Sequence, residues 1–184
     1  MNKVKTTTNG NNEQYIDFDP KTTAVLLIDY TTAREPSVRV VEESRKLGIP
    51  ILHYMHEFIN SPGIPPRLRP LGESDIIQYQ DTIMFPDTLL YLNRKNIKTV
   101  FVMGYGPSVC LLYTRFNSVS FLVDLYPEVN IVVVEEGADQ NNAQSKWAIS
   151  GFRSYAKTTH VSDILTAYGL NAEKIKEVKE KQLL

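Results

Sequence analysis

Four short runs of this chain are apolar almost throughout: TTAVLLIDY (22–30), IPILHYM (49–55), IKTVFVMG (97–104) and VNIVVVEEGAD (129–139). A strand with one wet face alternates apolar and polar residues. Runs that do not alternate must be covered on both faces, as in a parallel sheet packed between helices. The segments between them have helical spacing. PSVRVVEESRKLG places Val40, Val41, Ser44 and Leu47 on one side and ends at Gly48 and Pro50. PDTLLYLNRKN opens at Pro86 with Leu89 and Leu92 on one face. SVCLLYTRFNSVS sets Val109, Leu112, Tyr113 and Phe116 at i, i+3, i+4 and i+7, and NAQSKWAISGFRSY reads as a further helix. Alternating strands and helices predict an α/β fold: a doubly wound, mostly parallel, Rossmann-like sheet with helices on both faces. AKTTHV is a weaker strand, expected at an edge. The tail NAEKIKEVKEKQLL reads as a charged helix with Ile175 and Val178 on its apolar side. The Asn- and Thr-rich residues 1–14 read as a disordered leader, which leaves 15–184 as a single domain.

Charge and composition narrow the function. Net charge is −1 with no basic stripe, which gives no electrostatic case for nucleic acid or a membrane surface. No run of about 18 apolar residues is present, and no secretory signal is legible. The single cysteine cannot form an internal disulfide, so the expected setting is the cytoplasm.

In a sheet of this kind the binding crevice lies beyond the carboxyl ends of the strands. Three polar features fall there: Asp29 after the first run, His53 and His56 in and after the second, and the turn GYGPS before Cys110. Two readings of Asp29 stand. It is a partly desolvated base, or it caps the turn that follows. Cys110 falls in the first turn of a helix if Ser108 is the cap, where free N–H groups and the helix dipole stabilise a thiolate. The same N–H groups suit an oxyanion. The alternative is an inert buried thiol. His53 and His56 stand three apart, on opposite faces of a strand, which argues against joint metal ligation and for substrate-side roles. No metal or cofactor is expected. INSPGIPPRLRPLGESD, rich in proline and glycine, reads as an irregular surface excursion. In it Arg67 and Arg69 either meet an acidic substrate or are simply solvated.

Taken in order, these pieces resemble the isochorismatase-like cysteine hydrolase family from about residue 20 to residue 165. The family begins with an apolar strand ending in aspartate, matched by TAVLLIDY and Asp29. Its G-[IV]-P-[IV] landmark is matched by GIPILHYMHEF, and its Phe before a Thr-x-Leu helix by Phe85, Thr88 and Leu89. The cysteine motif, close to G-V-x-T-x-x-C-V-x-x-T, aligns with GYGPSVCLLYT at Gly104, Cys110 and Thr114, and VNIVVVEEGAD echoes the closing v-x-v-v-x-D-A.

The resemblance implies an amide-type C–N hydrolase with Cys110 as nucleophile and Asp29 as base. The turn of Gly106, Pro107, Val109 and Cys110 would form the oxyanion hole through the N–H groups of its residues other than the proline, and His53, His56, Phe85 and Tyr105 would line the substrate. It also implies a cis peptide in the turn, at Tyr105–Gly106 or at Gly106–Pro107, and a homo-oligomer acting on a small molecule. The family's catalytic lysine has no counterpart: Gln78, Tyr79 and Gln80 occupy its place, with Tyr79 nearest. Glu135, Glu136 and Gly137 replace the closing Asp-Ala. An impaired or repurposed ligand-binding relative is therefore the alternative to the hydrolase. A vinyl ether hydrolase of the isochorismate type ranks behind both, because in the family that chemistry relies on the Asp–Lys pair.

Overall fold

The computed structural model describes residues 2–8, 12–28, 35–55, 66–69, 75–79, 91–104, 119–138, 150–151, 153–154 and 156–170. Eight strands form one sheet: β1 (Asn2–Thr8), β2 (Asn12–Phe18), β3 (Thr23–Ile28), β4 (Ile51–Met55), β5 (Asp75–Tyr79), β6 (Thr99–Gly104), β7 (Asn130–Ala138) and β8 (Lys157–Thr159). Their order is β2-β1-β8-β7-β6-β3-β4-β5. All pairings from β5 to β8 are parallel, and β1 runs antiparallel to both β2 and β8. The parallel part starts at β3, grows outward through β4 and β5, then returns to the other side of β3 for β6, β7 and β8. This is the doubly wound arrangement with its switch point between β3 and β6.

The unbroken apolar runs are explained by two cores. Val25, Leu27, Ile51, Phe101 and Met103 face helices α1 (Glu35–Lys46) and α3 (Val161–Ala167), joined by Val40, Val41, Ile164 and Leu165. Ala24, Leu26, Ile28, Val100, Val102 and Val133 face the other way, toward α2 (Val119–Leu125) and Leu92 of the helical residues 91–94. Every residue of β3 and of β6 is buried.

Three helical segments end in the same way. Gly48 (φ 70°) and Gly169 (φ 87°) adopt the left-handed conformation that closes a helix, and Asn96 (φ 51°) does the same without being glycine. In each, the next residue donates back five positions: Ile49 to Ser44, Ile97 to Leu92 and Leu170 to Leu165. This Schellman geometry satisfies the last carbonyls and turns an apolar residue inward; Ile49 and Ile97 are both buried. The chain then enters β4 and β6. Leu47, expected on the apolar face of α1, is instead exposed beside this turn.

Two expectations are corrected, and the alternative left open at Arg67 is decided. Residues 2–8 and 12–18 are not a disordered leader but an antiparallel hairpin, with Val4, Ile16 and Phe18 buried against α3 and Tyr168. β8 is not an edge strand, because that hairpin adds to the sheet beyond it. Arg67 is not held ready for a substrate. It pairs with Glu35 at 2.6 Å and Glu42 at 3.0 Å on α1, while Arg45 donates to the carbonyls of Arg67, Leu68 and Arg69. Residues 66–69 are thus strapped along α1, with Leu68 buried beneath. The expected C-terminal helix lies outside the described residues.

β7 has a register irregularity against β6: Val102 pairs with Val133, but Gly104 pairs with Ala138. In this bulge Gly137 lies against the buried Met103, whose Cγ would be 2.5 Å from a Cβ built at 137. Replacing Gly137 by Ala overpacks this contact. The expected cost is about 1–3 kcal/mol, read as a lower urea midpoint with unchanged slope.

The same bulge presents Glu136 to the start of α3. One carboxylate oxygen accepts the Val161 N–H at 3.0 Å, and the other is 3.0 Å from His160 Nδ1. Burial pushes the Glu136 carboxyl up, but the bonds from His160 and Val161 outweigh it and hold the carboxyl below its ordinary value. His160 is raised, first by its bond to Glu136. A raised histidine contributes stability below its unfolded value, about 6.5, and loses it as pH climbs through the folded one. A lowered carboxylate contributes above its unfolded value and loses it as pH falls through the folded one. The pair therefore contributes most between about pH 4.5 and 6.5. Titrating unfolding stability from pH 6 to 8 should show a decline in the wild type that His160→Ala removes. The decline is modest and salt-sensitive, because the imidazole is half exposed.

Candidate functional site

The parallel register decides which residues meet. Ile28, last in β3, is the Cα partner of Gly104, last in β6, and of Tyr54 in β4. Met55 of β4 partners Tyr79 of β5, and Gly104 also partners Ala138 of β7. Five strands therefore end along one line, and the residues that follow them in the chain are Asp29, His56, Gln80, Tyr105 and Asp139. In doubly wound sheets the switch point is where neighbouring chains diverge to opposite faces, and here it falls between β3 and β6. In the sequence Asp29 follows β3, and the turn Tyr105–Ser108 and Cys110 follow β6.

Of the residues to which the resemblance gives a catalytic or substrate role, His53 and Tyr79 fall among those described. His53 stands in β4 in register with Leu27 and Ile77, two residues before the strand's end, and is 1% exposed. Tyr79 closes β5, an edge strand that the sequence patterning did not identify. Asp29, His56, Phe85, Tyr105, Gly106, Pro107, Val109 and Cys110 lie outside the described residues, as do both candidate cis peptides.

A charged cluster missed from the sequence flanks the line of strand ends. Glu135 is 5% exposed and accepts both bonds of a bidentate pair from Arg153, Nε–Oε1 at 2.8 Å and Nη2–Oε2 at 2.6 Å. Such a fork is the strongest common form of ion pair, and it raises Arg153 above its ordinary value. His160 Nε2 is 4.0 Å from the same Glu135 oxygen. Asp163, beside His160, is raised chiefly by burial. The signal was available: two adjacent glutamates closing a strand cannot both be buried without partners. The substitutions at the family's Asp-Ala position thus bind α3 and the segment holding Arg153 to the sheet. Among the described residues, no group of three or more His, Cys, Asp or Glu side chains is arranged to hold a metal. No helix of the described residues is long and apolar enough to cross a membrane.

No family model matches the sequence, and no curated protein matches it. Solved structures do match. A MAR1 ribonuclease from Caenorhabditis elegans is 20% identical with a TM-score of 0.58, over 92% of this chain and 93% of that one. An isochorismatase family protein from Burkholderia thailandensis is 13% identical with a TM-score of 0.54, over 83% of this chain and 98% of that one. A hypothetical protein from Trypanosoma cruzi is 13% identical with a TM-score of 0.59, over 86% and 91% respectively. Identities this low carry the fold and nothing finer. The protein has the isochorismatase-like α/β fold.

Proposed function

We propose that the protein is a small-molecule hydrolase that cleaves an amide-type C–N bond through Cys110, with Asp29 as its base. The observation that supports this reading is the Ile28–Gly104 pairing: the strands that precede Asp29 and the Cys110 turn in the sequence end side by side. Asp29 takes the thiol proton, and the thiolate attacks the carbonyl carbon. The C–N bond breaks, the amine leaves with that proton, and a thioester remains. Water then attacks the thioester, releasing the carboxylic acid and restoring the thiol. Backbone N–H groups of the turn hold the oxyanion in both halves.

A second reading has its own support. Tyr79, with no permanent charge, stands at the family lysine's place and closes the edge strand β5. A relative that binds a ligand in the same crevice without turning it over fits that change.

Three measurements separate these readings. Iodoacetamide at neutral pH should label Cys110, and an amide panel should find a substrate whose turnover disappears in Cys110→Ser. In Asp29→Asn the turnover should fall by about a hundredfold or more. A thiol that stays unlabelled in the folded protein, or cleavage of a single-stranded RNA added to the panel, would overturn the amide hydrolase. Placing a cation at the family position, in Tyr79→Lys, should shift the acid limb of the pH–rate profile down by about one unit or more, because a neighbouring positive charge eases ionisation of Asp29. Saturable binding of a metabolite with no turnover, in both the wild type and this variant, would favour the second reading.

A further inference from the structure

A cavity of about 320 Å³ lies under the amino ends of β7 and β8, where Ile131 and Lys157 enter the sheet, at the opposite end of the strands from the Ile28–Gly104 pair. One wall is apolar, made by Val123 of α2, by Val129 and Ile131, and by Ala156. Tyr126 adds an aromatic ring. The opposite wall is polar, with Thr8 and Gln14 of the hairpin beside Lys157.

Lys157 is the unusual member. Its ammonium is partly buried and donates to the Asn130 side-chain oxygen, a neutral acceptor. No carboxylate among the described residues pairs with it, and burial pushes its pKa down with nothing opposing. A half-buried cation with only dipolar partners is poorly compensated. Thr8 alongside carries a buried hydroxyl with no hydrogen-bond partner among the described residues. The hairpin is what closes this side, so the cavity arises from the two strands that extend the sheet beyond β8.

We infer that this cavity binds a small monocarboxylate with a compact apolar body, an aromatic or branched aliphatic acid, whose carboxylate meets Lys157 and whose hydrocarbon lies on Val129, Ile131 and Ala156. One ammonium among neutral groups matches a monoanion. A phosphate dianion would need a second cation. The volume is at the low end of small-molecule sites and suits a single ring or a short branched chain.

Benzoate tests this, with benzamide as the neutral isostere of the same shape. Titrated into the intact protein and followed by calorimetry, benzoate should bind saturably, at least tenfold tighter than benzamide, and more weakly as salt rises. Lys157→Gln should weaken benzoate at least tenfold and leave benzamide unchanged. If that variant fails to fold, the wild type still answers: benzoate should slow carbamylation of Lys157 by cyanate, read by peptide mass spectrometry, and benzamide should not. Equal binding of the two probes, benzoate affinity that survives in Lys157→Gln, or carbamylation unaffected by benzoate would each overturn the assignment. The outcome is independent of Cys110, since none of these readouts uses turnover.

Discussion

The pairing of β3 with β6 is the constraint on which the rest of the molecule depends. Both strands are buried along their whole length, and their six in-register pairs run from Thr23–Thr99 to Ile28–Gly104. Each buried Val, Leu or Ile side chain contributes roughly 1.5–3 kcal/mol, so this seam concentrates a large share of the apolar burial. A slip of one residue would turn Leu26 and Ile28 toward α1 and Leu27 toward α2, reversing both cores together. The register that the cores enforce is also the register that brings the end of β3 beside the end of β6. The position of the switch point and the stability of the sheet are therefore set by the same contacts.

The apolar runs were legible because burial on both faces leaves no other pattern for a strand. β3, β4, β6 and β7 follow from that rule, as does α1 with its Gly48 stop. Elements that lie at the margin of the sheet were not legible. In β1 and β2, Val4, Thr6, Ile16 and Phe18 face the protein and the intervening residues face water, so the segment is polar on average and reads as a leader. Its hairpin signal, the Asn-Gly pair in TTTNGNNEQY, was present and is the stronger guide in such a stretch. β5 was missed because DIIQY is short and its neighbours carry turn residues. β8 was found but placed at an edge, an error that follows directly from losing the hairpin. The doubly wound order of the parallel strands was readable from the alternation of elements, whereas the Glu135–Arg153 and Glu136–His160 pairs needed three-dimensional contacts that no spacing rule supplies.

The departures from the family pattern have unequal weight. Glu135, Glu136 and Gly137 stand where the resemblance expects Asp-Ala, and both glutamates are engaged. Glu135 is locked by a bidentate arginine, and Glu136 serves as the cap that His160, which makes no side-chain cap bond of its own, does not provide for α3. These residues have become part of the scaffold on that flank of the crevice. Position 79 is of another kind: where the resemblance expects a lysine this sequence has a tyrosine, which carries no permanent charge.

That difference bears on how Asp29 would ionise. Two arginines of the described residues are engaged elsewhere: Arg67 is drawn to Glu35 and Glu42 on α1, and Arg153 to Glu135. In the proposed hydrolase, an aspartate base without a neighbouring cation would have its charged form disfavoured. For a base that must take a thiol proton this is not simply a defect, because a stronger base accepts that proton more readily once it is itself deprotonated. The cost falls on the fraction of molecules in which Asp29 is charged at a given pH. A hydrolase built this way would work over a higher pH range than one with the lysine in place, and its turn N–H groups would carry more of the stabilisation of developing negative charge.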